Sequence, residues 1–113
     1  MDSDEPSTFL IESVLRANGD RVEVRRVVFQ SGTGTGWHRH SGWQAGFLTT
    51  GTLTHTTPQQ TTQIQPGDVL VEEPHIVHEA RNLAADVAEL LYVAFVPAGA
   101  ELSTPSEGPA ESA

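Results

Sequence analysis

The chain has 113 residues, 19% charged and 37% hydrophobic, with a net charge of −9 when histidine is neutral. These values fit one folded domain, not a disordered chain, and the acidic balance argues against a nucleic-acid backbone or an anionic membrane surface as partner. Cysteine is absent, which excludes disulfides, a thiol nucleophile and any cysteine-type zinc site.

The first residues, Met1 to Ser7, are acidic and polar, unlike the basic and then apolar start of a secretory signal. No stretch approaches the ~18–20 apolar residues of a membrane span, so a cytoplasmic protein is expected. Composition predicts disorder over residues 1–8 and again over 98–113, where Ala, Gly, Glu, Ser and Pro bury too little apolar surface to offset ordering. The folded domain is then residues 9–97.

Within it, Phe9 to Ala17 is ambiguous. Asp20 to Phe29 alternates Val22 and Val24 with charges and then shifts parity to Val27 and Phe29, which predicts a strand with a bulge at Arg25-Arg26. Ser31 to Gly36 is a glycine-rich connection. Trp43–Thr50, Leu53–Thr57 and Thr61–Gln65 read as strands, and Pro66-Gly67-Asp68 as a turn. Val69 to Val71 is expected to be a buried strand, ended by Pro74 after a solvated charge pair, Glu72-Glu73. Val77–Leu83 and Ala88–Val96 close the series. About eight short strands at roughly ten-residue intervals, with no helical periodicity, predict an all-β sandwich or barrel.

All five histidines fall between His38 and His78. His38 and His40 stand two apart, so an extended strand points both to one face, where two imidazoles can chelate one ion. Gln44 keeps the same parity, and a neighbouring strand could bring His78 to the same point. By itself such a pair is more often a pair of ordinary surface or hydrogen-bonded histidines.

The wider spacing is more specific. Gly32 precedes His38-Arg39-His40 by five residues; Gln44 follows after three more, and Gly51 six residues later. Gly67, opening the Pro-Gly-Asp turn, stands eleven before His78 and fifteen before Asn82. This pattern resembles the two motifs of the cupin superfamily over Gly32 to Asn82, that is, small single-domain bacterial cupins. There are two departures. Gln44 replaces the glutamate of the first motif. In the second, Glu73 is aligned with the proline, and Ile76 with the glycine.

The resemblance implies a double-stranded β-helix, the jelly-roll barrel of cupins, with one divalent metal ion held by His38, His40, Gln44 and His78. Fe, Zn, Mn, Ni and Cu all suit imidazole and are not distinguished. Three neutral imidazoles and a neutral amide would leave the ion its full charge; alternatively Gln44 faces the pocket without touching it. The resemblance further implies a small, oxygen-rich substrate, with dioxygenase-type oxidoreductase chemistry first, a Lewis-acid isomerase or cyclase second, and a non-catalytic binding module third. It also implies a homodimer formed by exchange of edge strands.

His55, His75 and Tyr92 are candidate acid or base groups. The simpler expectation is a packed His55, a solvated His75 and a core Tyr92. Trp43, Phe47 and Arg81 are candidate pocket residues. Against that stand barrel packing or a subunit interface for Trp37 and Trp43, core packing for Phe47 and Phe95, and a surface ion pair for Arg81.

Overall fold

The computed structural model describes residues 4–108; the disorder expected over 1–3 and 109–113 lies outside the described residues. These described residues form an all-β fold of ten strands with no helix. In chain order they are β1 (Ser7–Leu15), β2 (Arg21–Phe29), β3 (His38–His40), β4 (Gln44–Thr50), β5 (Leu53–Thr56), β6 (Thr61–Ile64), β7 (Val69–Glu72), β8 (Glu79–Arg81), β9 (Ala88–Val96) and β10 (Ser103–Pro105). They pair antiparallel in a five-stranded sheet, β1-β2-β9-β4-β7, a three-stranded sheet, β6-β5-β8, and the pair β10-β3. Val27, Phe29, Leu48, Leu53, Ile64, Ala80, Ala88 and Leu90 fill the core. Leu70 and Tyr92 pack against it.

The bulge expected in β2 is not there. β2 runs in unbroken register against β9, and the irregularity falls instead in β1, between Leu10 and Glu12. A strand with two apolar faces explains the parity of β2: Val27 and Phe29 face the core, while Val22 and Val24 sit on the opposite face, half-buried. β7 is likewise not buried. It is a sheet edge, with Leu70 turned inward and Val69 and Val71 outward. Phe47 and Phe95 share that outer face and are exposed, not core.

Two expected disorder boundaries also move. Ser7 and Thr8 open β1, which resolves the ambiguous stretch after Phe9 as strand. Beyond Pro97 the chain returns to pair β10 with β3, and Ser106 N–H donates to the Trp37 carbonyl at 3.0 Å. Main-chain hydrogen bonds order this segment, and composition does not register them.

Two loops are pinned at points that matter for the site. Gly42 lies so close to β9 that an added Cβ would stand 1.8 Å from the Phe95 carbonyl oxygen. That approach lets only three residues separate the start of β4 from His40. Asn82 is fully buried; its amide donates to the Phe29 and Asp86 carbonyls at 2.9 and 2.8 Å and accepts from Ala84 N–H at 2.9 Å.

The motif glycine falls on His75, one residue before the expected Ile76. His75 has φ of +69°, the left-handed backbone that glycine adopts without cost, and its N–H donates to the His40 carbonyl at 2.9 Å. His75→Gly keeps that bond and removes the side-chain penalty. It should raise stability by about 1 kcal/mol in chemical denaturation.

Glu23 is buried on the inner face of β2 between Arg21 (3.2 Å) and Arg25 (2.9 Å). Burial raises its carboxyl, but the bonds and charge of Arg25 and Arg21 outweigh this and hold it below the ordinary 4.5. The stabilisation is therefore full above 4.5 and is lost as pH falls through the lower folded value. Glu23→Gln should cost about 1–3 kcal/mol at neutral pH and flatten the acid limb of the stability profile. An acid limb as steep as that of the unsubstituted chain would rule out this origin.

Candidate metal centre

Three short segments bring the histidines together. His38 and His78 exchange backbone hydrogen bonds (N–H to carbonyl, 3.0 and 2.9 Å), which sets the two side chains on the same inward face. His40 lies two residues on along β3, so its ring points the same way. The ring centroids are 4.3 Å apart for His38–His78 and 4.8 Å for both His38–His40 and His40–His78. His55 of β5 completes the group, 5.2 Å from His78.

The tautomers follow from the partners. Nδ1 of His38 donates to the Gly36 carbonyl at 2.8 Å, Nδ1 of His78 to Ile76 at 3.0 Å, and Nδ1 of His40 to Leu102 at 3.3 Å. A carbonyl can only accept, so each ring carries its proton on Nδ1 and leaves Nε2 as a lone pair. Leu102 belongs to the C-terminal segment that composition assigned to disorder; that segment orients His40. Burial pushes His38 down to about 4, against an opposing effect of the Gly36 bond, so this ring is neutral at neutral pH.

The Nε2 atoms of His40 and His78 are 3.1 Å apart. Two lone pairs do not face each other at that distance without a proton or a cation between them. Donors bound to one ion at about 2.1 Å and near right angles stand about 3 Å apart, so the spacing suits a shared ion. The side chains of His38, His40 and His78 could hold a metal ion, and so could His55, Glu72 and His78; within each group the ligand atoms lie within 4.8 Å of one another. Gln44 sits at the same point, buried, with its Nε2 2.7 Å from His40 Nε2 and its Oε1 without a partner. A buried amide oxygen without a partner leaves Gln44 short of one hydrogen bond at this point.

Glu72 is the residue that sequence reasoning missed. It was expected on a solvated edge, but it ends β7 directly opposite Gln44 of β4 and turns inward. Its Oε2 lies 2.8 Å from His78 Nε2 and 2.9 Å from His55 Nε2; its Oε1 lies 3.5 Å from His40 Nε2. Burial raises the carboxyl, yet the surrounding imidazoles of His40, His55 and His78 prevail and keep it well below the usual carboxylate range. The strand parity that put Leu70 in the core also carries Glu72, and that was the available signal.

The group forms one wall of a cavity of about 320 Å³ whose lining includes the core side chains Phe29, Leu53, Leu90 and Tyr92. Of the three candidate acid or base groups, His55 and Tyr92 line it. Burial raises the Tyr92 phenol to about 12, so it remains a hydrogen-bond donor. His75 is exposed and contributes only its backbone. None of the three candidate pocket residues lines this cavity. Trp43 and Phe47 lie on the outer side of the sheet, because their parity is opposite to that of Gln44. Arg81 donates to the Gly32 carbonyl at 3.0 Å and approaches Glu79 at 4.0 Å, outside the barrel. The cationic side chain that does line the cavity is Arg25, held by Glu23.

Among solved structures, a Klebsiella pneumoniae protein with a double-stranded β-helix domain shares 20% identity at a TM-score of 0.72, covering 95% of this chain and 89% of its own. A cupin superfamily protein from Desulfitobacterium hafniense shares 20% identity at 0.65, covering 86% and 84%. A structure described as a putative sugar phosphate isomerase from Acidithiobacillus ferrooxidans shares 21% at 0.58, covering 64% of this chain but only 48% of its own. No curated protein matches the sequence. The family model described as "Cupin domain" matches residues 25–94. That span holds the convergent histidines and Glu72, and with the double-stranded β-helix of the neighbours it establishes that the chain belongs to the cupin superfamily.

Proposed function

We propose that this cupin is a metal-dependent enzyme acting on a small, oxygen-rich molecule, that it works as a homodimer, and that oxygenase chemistry is its first reading. The observation that carries the metal dependence is the convergence of three Nε2 lone pairs, each fixed by a backbone carbonyl, on the wall of a largely apolar cavity. The ion would supply Lewis acidity or, if redox-active, a place for oxygen chemistry. Tyr92 offers an O–H donor to a bound oxygen atom, Arg25 offers positive charge to an anionic group, and the apolar walls exclude water. A second reading is isomerisation or cyclisation with the ion as Lewis acid, the class named for the fold-level neighbour described as a putative sugar phosphate isomerase.

Oxygen uptake separates the two. Protein loaded with Fe(II) should consume oxygen on 1,2-diols, diketones or catechols faster than a His78→Ala control. Uptake equal to that control, with substrate converted anaerobically by the Zn or Mn form, would establish the second reading instead. Protein purified without a histidine tag that carries no metal and acquires none would remove both.

A further inference from the structure

The barrel holds a carboxylate where the sequence motifs place none, and it holds it against the histidines. Glu72 and Gln44 are cross-strand partners in β7 and β4, so their side chains occupy one row of the inner face. In that row Gln44 Nε2 donates toward Glu72 Oε1 at 3.4 Å and stands 2.7 Å from His40 Nε2, while its Oε1 is unpartnered. An amide turned this way presents N–H groups, which cannot ligate a cation but can hold a carboxylate. Glu72, in turn, has one oxygen 2.8 Å from His78 Nε2 and the other 3.5 Å from His40 Nε2. Both those nitrogens are lone pairs, since their Nδ1 atoms donate to carbonyls.

We infer that Glu72, not Gln44, supplies the anionic ligand of the metal centre alongside His38, His40 and His78, with Gln44 and His55 as positioning residues for its carboxylate. This rests on the metal-dependent reading above. A carboxylate next to two facing lone pairs is stabilised by a cation between them far more than by a neutral arrangement. His55, 2.9 Å from the oxygen that approaches His78 and within 4.8 Å of it in the group His55, Glu72 and His78, orients that oxygen, as the outer partners of metal ligands do. The carboxylate thus stands one strand across the sheet from the first-motif position, directly opposite Gln44 on the same inner row. The bound ion then carries one unit less charge than three imidazoles and an amide would leave it, so the site suits neutral or singly charged oxygen donors over highly charged anions.

Chelator-stripped full-length protein titrated with Co²⁺ or Zn²⁺ against a chromophoric chelator tests this, with far-UV circular dichroism confirming the fold of each variant. Glu72→Gln should lose affinity by more than about 100-fold and change the Co²⁺ absorption envelope, while Gln44→Ala should lose about tenfold, the low end for an outer partner. The exchange variant Glu72→Gln/Gln44→Glu, which returns the carboxylate to the first-motif position, should recover most of the affinity. Glu72→Gln binding as tightly as the unsubstituted chain, or Gln44→Ala losing as much as Glu72→Gln, would overturn the inference while leaving the metal centre standing. An unsubstituted chain that binds neither ion would overturn the metal-dependent reading and this inference with it.

Discussion

Alanine at position 40 should abolish divalent-metal binding at micromolar concentrations, a larger loss than any other single change at the site. His40 is the hub of the group. Its Nε2 lies 3.1 Å from His78 Nε2, 2.7 Å from Gln44 Nε2 and 3.5 Å from Glu72 Oε1. Removing it deletes one nitrogen donor and leaves the Gln44 amide, already short of one partner, with another group unpaired in a buried place. Changes to outer partners of metal ligands cost about 10–100-fold, and loss of a ligand itself should exceed that range. Thermal unfolding reads the effect directly. Ligand that binds only the native state adds about 4 kcal/mol at a thousand times its dissociation constant, so the unsubstituted chain should melt higher with added Zn²⁺. His40→Ala should show no such increase. A melting shift equal to that of the unsubstituted chain would mean the ion sits elsewhere.

Much of this arrangement was legible in the sequence because it follows from parity. The i, i+2 relation of His38 and His40 placed both rings inward, and the same rule placed His55 with Leu53 on one face. Strands β4, β6 and β9 fall within a residue or so of their expected limits, since each has β-branched or apolar alternation bounded by glycine, proline or charge. What was not legible depends on pairing between distant segments. Nothing local in Val69–Glu72 says that this strand lies at an edge, so Val69 and Val71 looked buried and Glu72 looked solvated, the reverse of their positions. The order of β10 comes from backbone bonds to β3, which a low-apolar composition cannot reveal. Trp43, Phe47 and Arg81 were drawn toward the pocket by nearness in sequence to its histidines, although parity sets the first two on the outer face.

That outer face makes the second strong prediction, for it is too apolar to stand alone in water. Register places Phe47 and Ala45 of β4 beside Val69 and Val71 of β7 on one side and Leu91 and Val93 of β9 on the other, with Val22 and Val24 of β2 beyond. Val69 is 70% exposed, Val71 57%, Phe95 51% and Phe47 47%. Covering a large apolar side chain is worth about 1.5–3 kcal/mol, and several together can exceed the cost of association, which is of order 4–15 kcal/mol. β1 adds to this: it is exposed along its whole length, including Leu10, Ile11 and Leu15, and is an edge that a second copy could cover. A two-fold partner presents the same face, where Arg26 and Glu89 pair with each other, so two acidic chains meet away from their excess charge. The chain should therefore sediment at twice the mass of one copy at micromolar concentration. Val71→Lys, on the solvated side of an edge strand, should leave the circular dichroism spectrum unchanged and yield monomers, because two lysines would have to be buried across the two-fold axis without partners. An unsubstituted chain that sediments as a monomer, or a Val71→Lys chain that still pairs, would show that the strip faces solvent or a different partner.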